Sequence, residues 1–164
     1  MKKTALVLAM FGFASAAYAN PYDMKVTKVT DGDTIVILSE GNVQHKIRLQ
    51  GIDAPERGQA YGTKSKEHLS DLVAGRFVVV EYDKRDRYGR IVGKVLVGGE
   101  DACLEQVSAG YAWHYKKYQN EQIETDRQLY SEAEIEARKD KRGLWQDPHA
   151  RPPWEYRAAE RGKH

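Results

Sequence analysis

The sequence predicts an α+β domain: a small closed five-stranded β-barrel accompanied by three α-helices. Three observations carry that expectation. Five short segments between residues 24 and 97 are rich in β-branched residues or alternate polar with apolar. One helical pattern interrupts them after the third segment. From Asp101 to Gly143 the chain then reads mainly at helical spacing, with glycines as stops.

The elements follow in order. Met24 and Val26 alternate with Lys25 and Thr27, the pattern of a half-buried strand. Asp31-Gly32-Asp33 is a turn, and Thr34 to Leu38 is a β-branched strand. Glu40-Gly41-Asn42 turns the chain again. In Lys46-Ile47-Arg48-Leu49-Gln50 the alternation sends Ile47 and Leu49 to the core and Arg48 to the opposite face. The segment from Gly51 to Thr63 holds Gly, Pro and charge and reads as a loop. A helix fits Lys64 to Val73, with Leu69, Leu72 and Val73 on its inner face and Gly75 closing it. Phe77 to Tyr82 and Ile91 to Val97 are two further strands around a polar hairpin tip, Asp83 to Arg90. Asp101 is the expected N-cap of a helix that directs Leu104 and Val107 inward and stops at Gly110. A longer helix runs from about Glu124 to Asp140, with Leu129, Ala133 and Ala137 as its apolar stripe and a basic last turn that complements the dipole. Trp145 and Trp154, in a Pro-rich tail, are expected to pack back onto the domain. Five short strands with an interposed helix suggest a barrel of OB type.

The ends and the composition set limits. Lys2 and Lys3, an apolar run from Thr4 to Ala16 and Ala17-Tyr18-Ala19 have the order of a secretory signal peptide. Cleavage after Ala19 is expected, with export to the periplasm or beyond the cell. No other stretch approaches membrane-spanning length. The whole chain carries 26 Lys+Arg and 24 Asp+Glu. Loss of Lys2 and Lys3 leaves the remainder formally neutral, so affinity for a polyanion has to come from local clustering of charge. Cys103 is the only cysteine, which rules out an intramolecular disulfide. Its neighbours suggest a small buried side chain on a helix.

Three segments carry chemistry: Asp31-Gly32-Asp33-Thr34, then Arg48 with Ile52-Asp53-Ala54-Pro55-Glu56, then Asp86-Arg87-Tyr88-Gly89-Arg90. Each alone reads as an ordinary turn or loop. Together they form a set. Asp33 and Asp53 are hard oxygen donors suited to calcium or magnesium. The five histidines are scattered and form no competing cluster. Glu56 lies on the same loop as Asp53, placed to reach a water beside a metal without ligating it. Arg48 and Arg90 offer planar, permanently charged forks that match phosphate oxygens. This is a sensible set for phosphodiester hydrolysis.

In those motifs, in their order and in their compatible spacing, the chain resembles the staphylococcal (micrococcal) nuclease family, from about Tyr22 to Trp145. Gly110 before an aromatic stretch and Gly143-Leu144-Trp145 add to the likeness. The resemblance implies an OB-fold barrel with three helices in one nuclease domain, residues 20–164, with a core of about 22–145 and a tail over 147–164. It implies calcium-dependent endonuclease activity on DNA and RNA with 3′-phosphate products, magnesium being the alternative metal. By position, Asp33 and Asp53 resemble the metal carboxylates, Ala54 a residue that offers its backbone carbonyl to the metal, and Asp31 an acid just outside the ligands. Arg48, Glu56 and Arg90 resemble the catalytic trio. Tyr88 matches the hairpin motif beside the scissile nucleotide. Lys84 and Arg87 supply local positive charge, and Tyr115 and Tyr118 offer rings for stacking bases of single-stranded or frayed substrate. A monomer without a protein partner is expected. The rival from another class is a non-catalytic OB-fold nucleic-acid-binding protein. Such relics usually lack part of the Arg/Glu/Arg and Asp/Asp set, which is complete here. A calcium-binding protein with no nucleic-acid role leaves Arg48 and Arg90 unexplained.

Overall fold

A computed structural model describes residues 24–162. The expected signal, residues 1–19, lies outside them. The elements are β1 (Met24–Asp31), β2 (Thr34–Leu38), β3 (Gln44–Leu49), β4 (Ile52–Asp53), α1 (Gly62–Val73), β5 (Phe77–Arg85), β6 (Ile91–Val97), β7 (Glu100–Asp101), α2 (Ala102–Ser108), β8 (Trp113–His114), α3 (Glu124–Lys139) and α4 (Pro153–Arg161). Short 3-10 turns occupy Glu40–Asn42, Lys116–Glu121 and Gly143–Gln146. Among the described residues no helix is long and apolar enough to cross a membrane.

The five long strands follow the order β3-β2-β1-β5-β6, all antiparallel until β3 meets β6 in a parallel pairing that closes the ring. Ile47 pairs with Ile91, Arg48 with Val92 and Leu49 with Gly93. Closure gives an OB-type barrel and removes both sheet edges. Alternation then does its work: Val26, Ile35, Ile37, Ile47, Leu49, Val78, Ile91 and Val95 fill the interior. Helices α1 and α2 add Leu69, Val73, Cys103 and Val107 to the same core. Leu104 is partly buried against it. The Cys103 thiol is fully buried, and burial pushes its pKa well above the usual thiol range, so it behaves as an apolar side chain.

Helix boundaries follow local chemistry. The Asp101 carboxylate accepts from the amides of Cys103 at 2.9 Å and Leu104 at 3.2 Å, the cap expected from sequence. Its other oxygen accepts from Tyr130 Oη at 2.7 Å and so ties α2 to α3. That bond turns the Tyr130 face of α3 inward, not the Leu129 face expected from sequence. The buried stripe of α3 is Tyr130, Glu134 and Ala137, with Ala133 partly buried, whereas Leu129 is 44% exposed. Tyr130 displaces Leu129 because its ring fills the core while its hydroxyl keeps a partner. Glu134 is buried because it accepts from His114 N at 3.2 Å and Lys116 Nζ at 2.6 Å.

Gly110 and Gly143 face each other across the α2 and α3 ends. Both have positive φ, and a β-carbon on either would overlap the other segment's backbone. Leu144 N donates to Gly110 O at 2.8 Å across this contact. The tail also exceeds its expectation. It packs back through Trp145 and Trp154, 5.1 and 6.4 Å from Trp113 by ring centroids, and it forms a fourth helix, α4.

His114 adds a pH dependence. Its Nε2 lies 2.9 Å from Gln122 Oε1, which assigns the proton to Nε2, and its buried Nδ1 has no hydrogen-bond partner among the described residues. Burial lowers its pKa below the ordinary value of 6.5, outweighing the opposing Gln122 bond and Glu134 charge. Below 6.5 the unfolded chain takes up a proton that the folded chain refuses. Stability from this group is therefore complete above that pH and falls as pH drops toward the depressed folded value. Urea midpoints of the parent and His114→Gln between pH 7.5 and 5 are expected to converge on acidification. Parallel curves across that range would refute this.

Candidate active site

Three loops at one end of the barrel build the site, and each is fixed by a local device. The β1–β2 turn places Asp33. Gly32 lies so close to α1 that a β-carbon would overlap Ser65 Oγ, and its carbonyl accepts from Gln106 Nε2 at 2.6 Å. The turn therefore seats against α1 and directs Asp33 toward the chain after β4. There Asp33 Oδ2 accepts from Ala54 N at 2.8 Å, and Oδ1 accepts from Thr34 Oγ1 at 3.0 Å. β4 pairs with β8, Asp53 opposite Trp113, which anchors the segment that carries Asp53, Ala54 and Glu56. Arg48 projects from β3, whose register sets it opposite Thr34 and places Ile47 and Leu49 inside.

These residues converge. The Arg48 guanidinium donates to Asp53 Oδ1 at 2.9 Å, lies 3.1 Å from Asp33 Oδ2 and donates to Leu49 O at 3.0 Å. Asp53 is 1% exposed. Burial resists the Arg48 charge, but Asp33, Asp53 and Asp31 outweigh it and hold its pKa above the usual range. Burial, with the Asp33 charge, also keeps Asp53 above the ordinary carboxylate value against the pull of the guanidinium groups. Asp31 is raised to about 6, first by burial and then by the Asp33 charge.

Beside this cluster lies a cavity of about 380 Å³ lined by Thr30, Asp31, Thr34, Lys46, Tyr88, Gly89 and Arg90. Arg90 is held by Asp86: Nε donates to Oδ2 at 2.7 Å, and the backbone amide to Oδ1 at 3.0 Å. Tyr88, 68% exposed, is flanked by the Arg87 and Arg90 guanidinium groups at 4.9 and 5.5 Å from its ring. Arg90 and Tyr88 thus face the Asp31 side of the site across open space, while Arg48, Asp33, Asp53 and Glu56 form its closed side.

The other expected contacts are divided. Lys84 pairs with Glu121 and lies 6.0 Å from the Tyr118 ring. Arg87 Nη2 donates to Tyr88 Oη at 2.8 Å. Tyr115 meets Tyr118 edge-on at 5.1 Å, and its face is covered by Trp154, stacked at 5.4 Å with 12° between the planes.

Two residues escaped the sequence reading. Lys46 lines the cavity; strand alternation, which sets it on the same face as Arg48, was the available signal. Arg157, on α4, donates to Glu56 Oε1 at 2.6 Å, to Asp53 Oδ2 at 2.7 Å and to Asp53 Oδ1 at 3.2 Å. Pro153 at the first turn, Glu155, Ala158-Ala159 and Gly162 would have announced the helix. Nothing local announces its target. Burial opposes the Arg157 charge, but its bonds to Asp53 and Glu56 raise its pKa beyond the ordinary arginine value.

The donor set fits a hard divalent cation. Four carboxylates (Asp31, Asp33, Asp53 and Glu56) meet two guanidinium groups here, which leaves excess negative charge when all are ionised. Burial first, and then the charge of Asp33, raises the Asp31 pKa in this cluster. Arg157 already stands where a cation is wanted, against Asp53 and Glu56. Among the described residues no three His, Cys, Asp or Glu side chains form a ready metal cage. Asp33 and Asp53 would therefore need backbone, water or substrate oxygens to complete a shell, as hard cations accept.

Comparison with known proteins points the same way. Residues 46–147 match the family described as Staphylococcal nuclease homologue. An "Uncharacterized endonuclease" of Haemophilus influenzae is 37% identical over 155 residues, covering 94% of this chain and 84% of the relative. An "Uncharacterized endonuclease" of Escherichia coli is 39% identical over 151 residues, 92% and 94% of the two chains. A "Micrococcal nuclease" of Shigella flexneri is 40% identical over 144 residues, 82% and 80%.

Proposed function

The chain belongs to the staphylococcal nuclease family of nucleic-acid phosphodiesterases, and from that premise we propose that it is an exported, calcium-dependent endonuclease that cuts DNA and RNA to 3′-phosphate ends. The observation that carries this reading is the convergence of Asp33, Arg48, Asp53 and Glu56 beside the cavity that holds Arg90 and Tyr88. It acts as a monomer and favours single-stranded or frayed segments, whose bases can reach the exposed rings of Tyr88 and Tyr118.

Asp33, Asp53 and the Ala54 carbonyl would hold the ion. Calcium, when bound, supplies polarisation of the phosphate and orients the attacking water. Glu56 accepts the proton of that water as its oxygen bonds to phosphorus. The bond from phosphorus to the 5′-oxygen breaks, the departing oxygen takes a proton from solvent, and the phosphate stays on the 3′ side. Arg48, fixed by two aspartates and a carbonyl, enters the transition state already oriented. It donates to the phosphoryl oxygens from the closed side of the site, and Arg90, steadied by Asp86, donates from the cavity side. Lys46 on the cavity wall adds charge for the flanking phosphate backbone.

The test is a matrix of substrate against metal: plasmid, single-stranded DNA and RNA, each with calcium, magnesium or a chelator, followed by analysis of product ends. Calcium-supported, chelator-sensitive cleavage to 3′-phosphates is expected, and fractionation of the source cells should find the protein outside the cytoplasm. Nucleic-acid binding without chelator-sensitive cleavage would instead establish a non-catalytic binding module.

A further inference from the structure

The fourth helix lies beyond residues 46–147, the segment that matches the family, yet it reaches into the middle of the site. It does so at two separate points. At one, Arg157 occupies one oxygen of Glu56 and both oxygens of Asp53. At the other, Trp154 covers the face of Tyr115. Buried Pro153 and a bond of 2.6 Å from Gln59 Nε2 to Arg151 O fasten the start of the helix near the Glu56 loop.

We propose that α4 is an intrachain latch: Arg157 serves as a tethered cation on Asp53 and Glu56 while Trp154 occupies the Tyr115 ring, so that a divalent cation and nucleic acid must displace the helix to engage the site. The inference rests on the nuclease reading above. Its physical basis is competition for the same atoms. An oxygen lone pair that accepts from a guanidinium is withheld from a metal or an attacking water. A ring face stacked by an indole is withheld from a base. Among the described residues every side-chain hydrogen bond of Arg157 goes to a carboxylate, which is the bonding of a cation substitute rather than of a free phosphate hook. The Arg157 side chain is 33% exposed, so its ion pairs are open to competition from solvent ions.

Linkage fixes the consequences. A ligand that binds only the open form has its apparent affinity reduced by the fraction of molecules that are open. Calorimetric titration with calcium chloride alone is the direct measurement, on the parent, Arg157→Ala and Trp154→Ala. Both variants are expected to bind calcium about ten-fold more tightly, the scale set in Arg157→Ala by loss of charge-assisted hydrogen bonds and in Trp154→Ala by loss of an aromatic stack. Trp154→Ala matters most, because it keeps the Arg157 charge and loosens only the far point of attachment; it also carries the test if Arg157→Ala fails to fold. In the parent, calcium is expected to reduce hydrogen-exchange protection across residues 153–161. Unchanged calcium affinity in Trp154→Ala, or undiminished protection of α4 at saturating calcium, overturns the latch. So does a lower cleavage rate of Arg157→Ala at saturating calcium, which would make Arg157 a substrate-contacting residue. A parent that cleaves normally in these cases leaves the nuclease reading intact, whereas a parent that neither binds calcium nor cleaves overturns both.

Discussion

Glu56→Gln is expected to lower the cleavage rate at saturating calcium by about 10² to 10⁴, the usual contribution of a positioned general base, while the fold survives. The amide preserves size and can still accept a hydrogen bond from Arg157, but it takes up no proton. Glu56 sits on the loop behind β4 and its side chain is 37% exposed, so little packing depends on its charge. Its ion pair with Arg157 is part-exposed, a class that contributes at most about 1 kcal/mol. Saturating calcium is the proper condition, because the substitution also weakens one attachment of α4 and would otherwise mix two effects. Initial rates on plasmid and on a single-stranded oligonucleotide, with thermal unfolding in parallel, check the prediction. A variant that cleaves as fast as the parent removes Glu56 from the mechanism.

Arg48→Ala is expected to reduce both catalysis and stability, and calcium should separate the two. The rate loss is on the order of 10² to 10³, that of a missing electrostatic donor. The stability loss arises because Asp33 and Asp53 are buried and share this one guanidinium. Leaving a buried charge without its partner costs about 3–5 kcal/mol, and Arg157, which still reaches Asp53, holds the loss to the lower end. Bound calcium restores positive charge at the same carboxylates and stabilises the folded form by its binding free energy. Urea unfolding of parent and variant should therefore differ more in chelator than in calcium. Arg48→Lys keeps a charge without the fork and is expected to recover part of the stability but little of the rate. Equal stability of Arg48→Ala and parent in chelator would show that the buried pairs are not carrying the loop.

Much of this site was legible because its parts are local. Asp31-Gly32-Asp33 is a turn by composition, and the structure adds only that Gly32 is pressed against Ser65. Arg48 was readable from the strand alternation around Ile47 and Leu49, both buried. Asp101 announced its helix as a cap. Leu129 is the exception, 44% exposed on α3. Apolarity ranked it above its neighbours, yet Tyr130 and Glu134 are buried because Asp101, His114 and Lys116 satisfy them. A polar residue turns inward when a partner waits there, and that partner is distant in the chain.

The sequence by itself determined the order of the five long strands and the first three helices, the Asp101 cap and the turns, the inward residues Val26, Ile47 and Leu49, and the acids and arginines of the three motifs. These depend on periodicity and on backbone preferences within a few residues. Only the tertiary structure decided that β3 meets β6 to close the barrel, that Arg90 faces Asp31 across a cavity, and that Arg157 reaches Asp53 from 104 residues away. Such pairings are chosen by which packing of the whole chain buries its apolar faces and matches its charges together, and no local run of residues contains that choice.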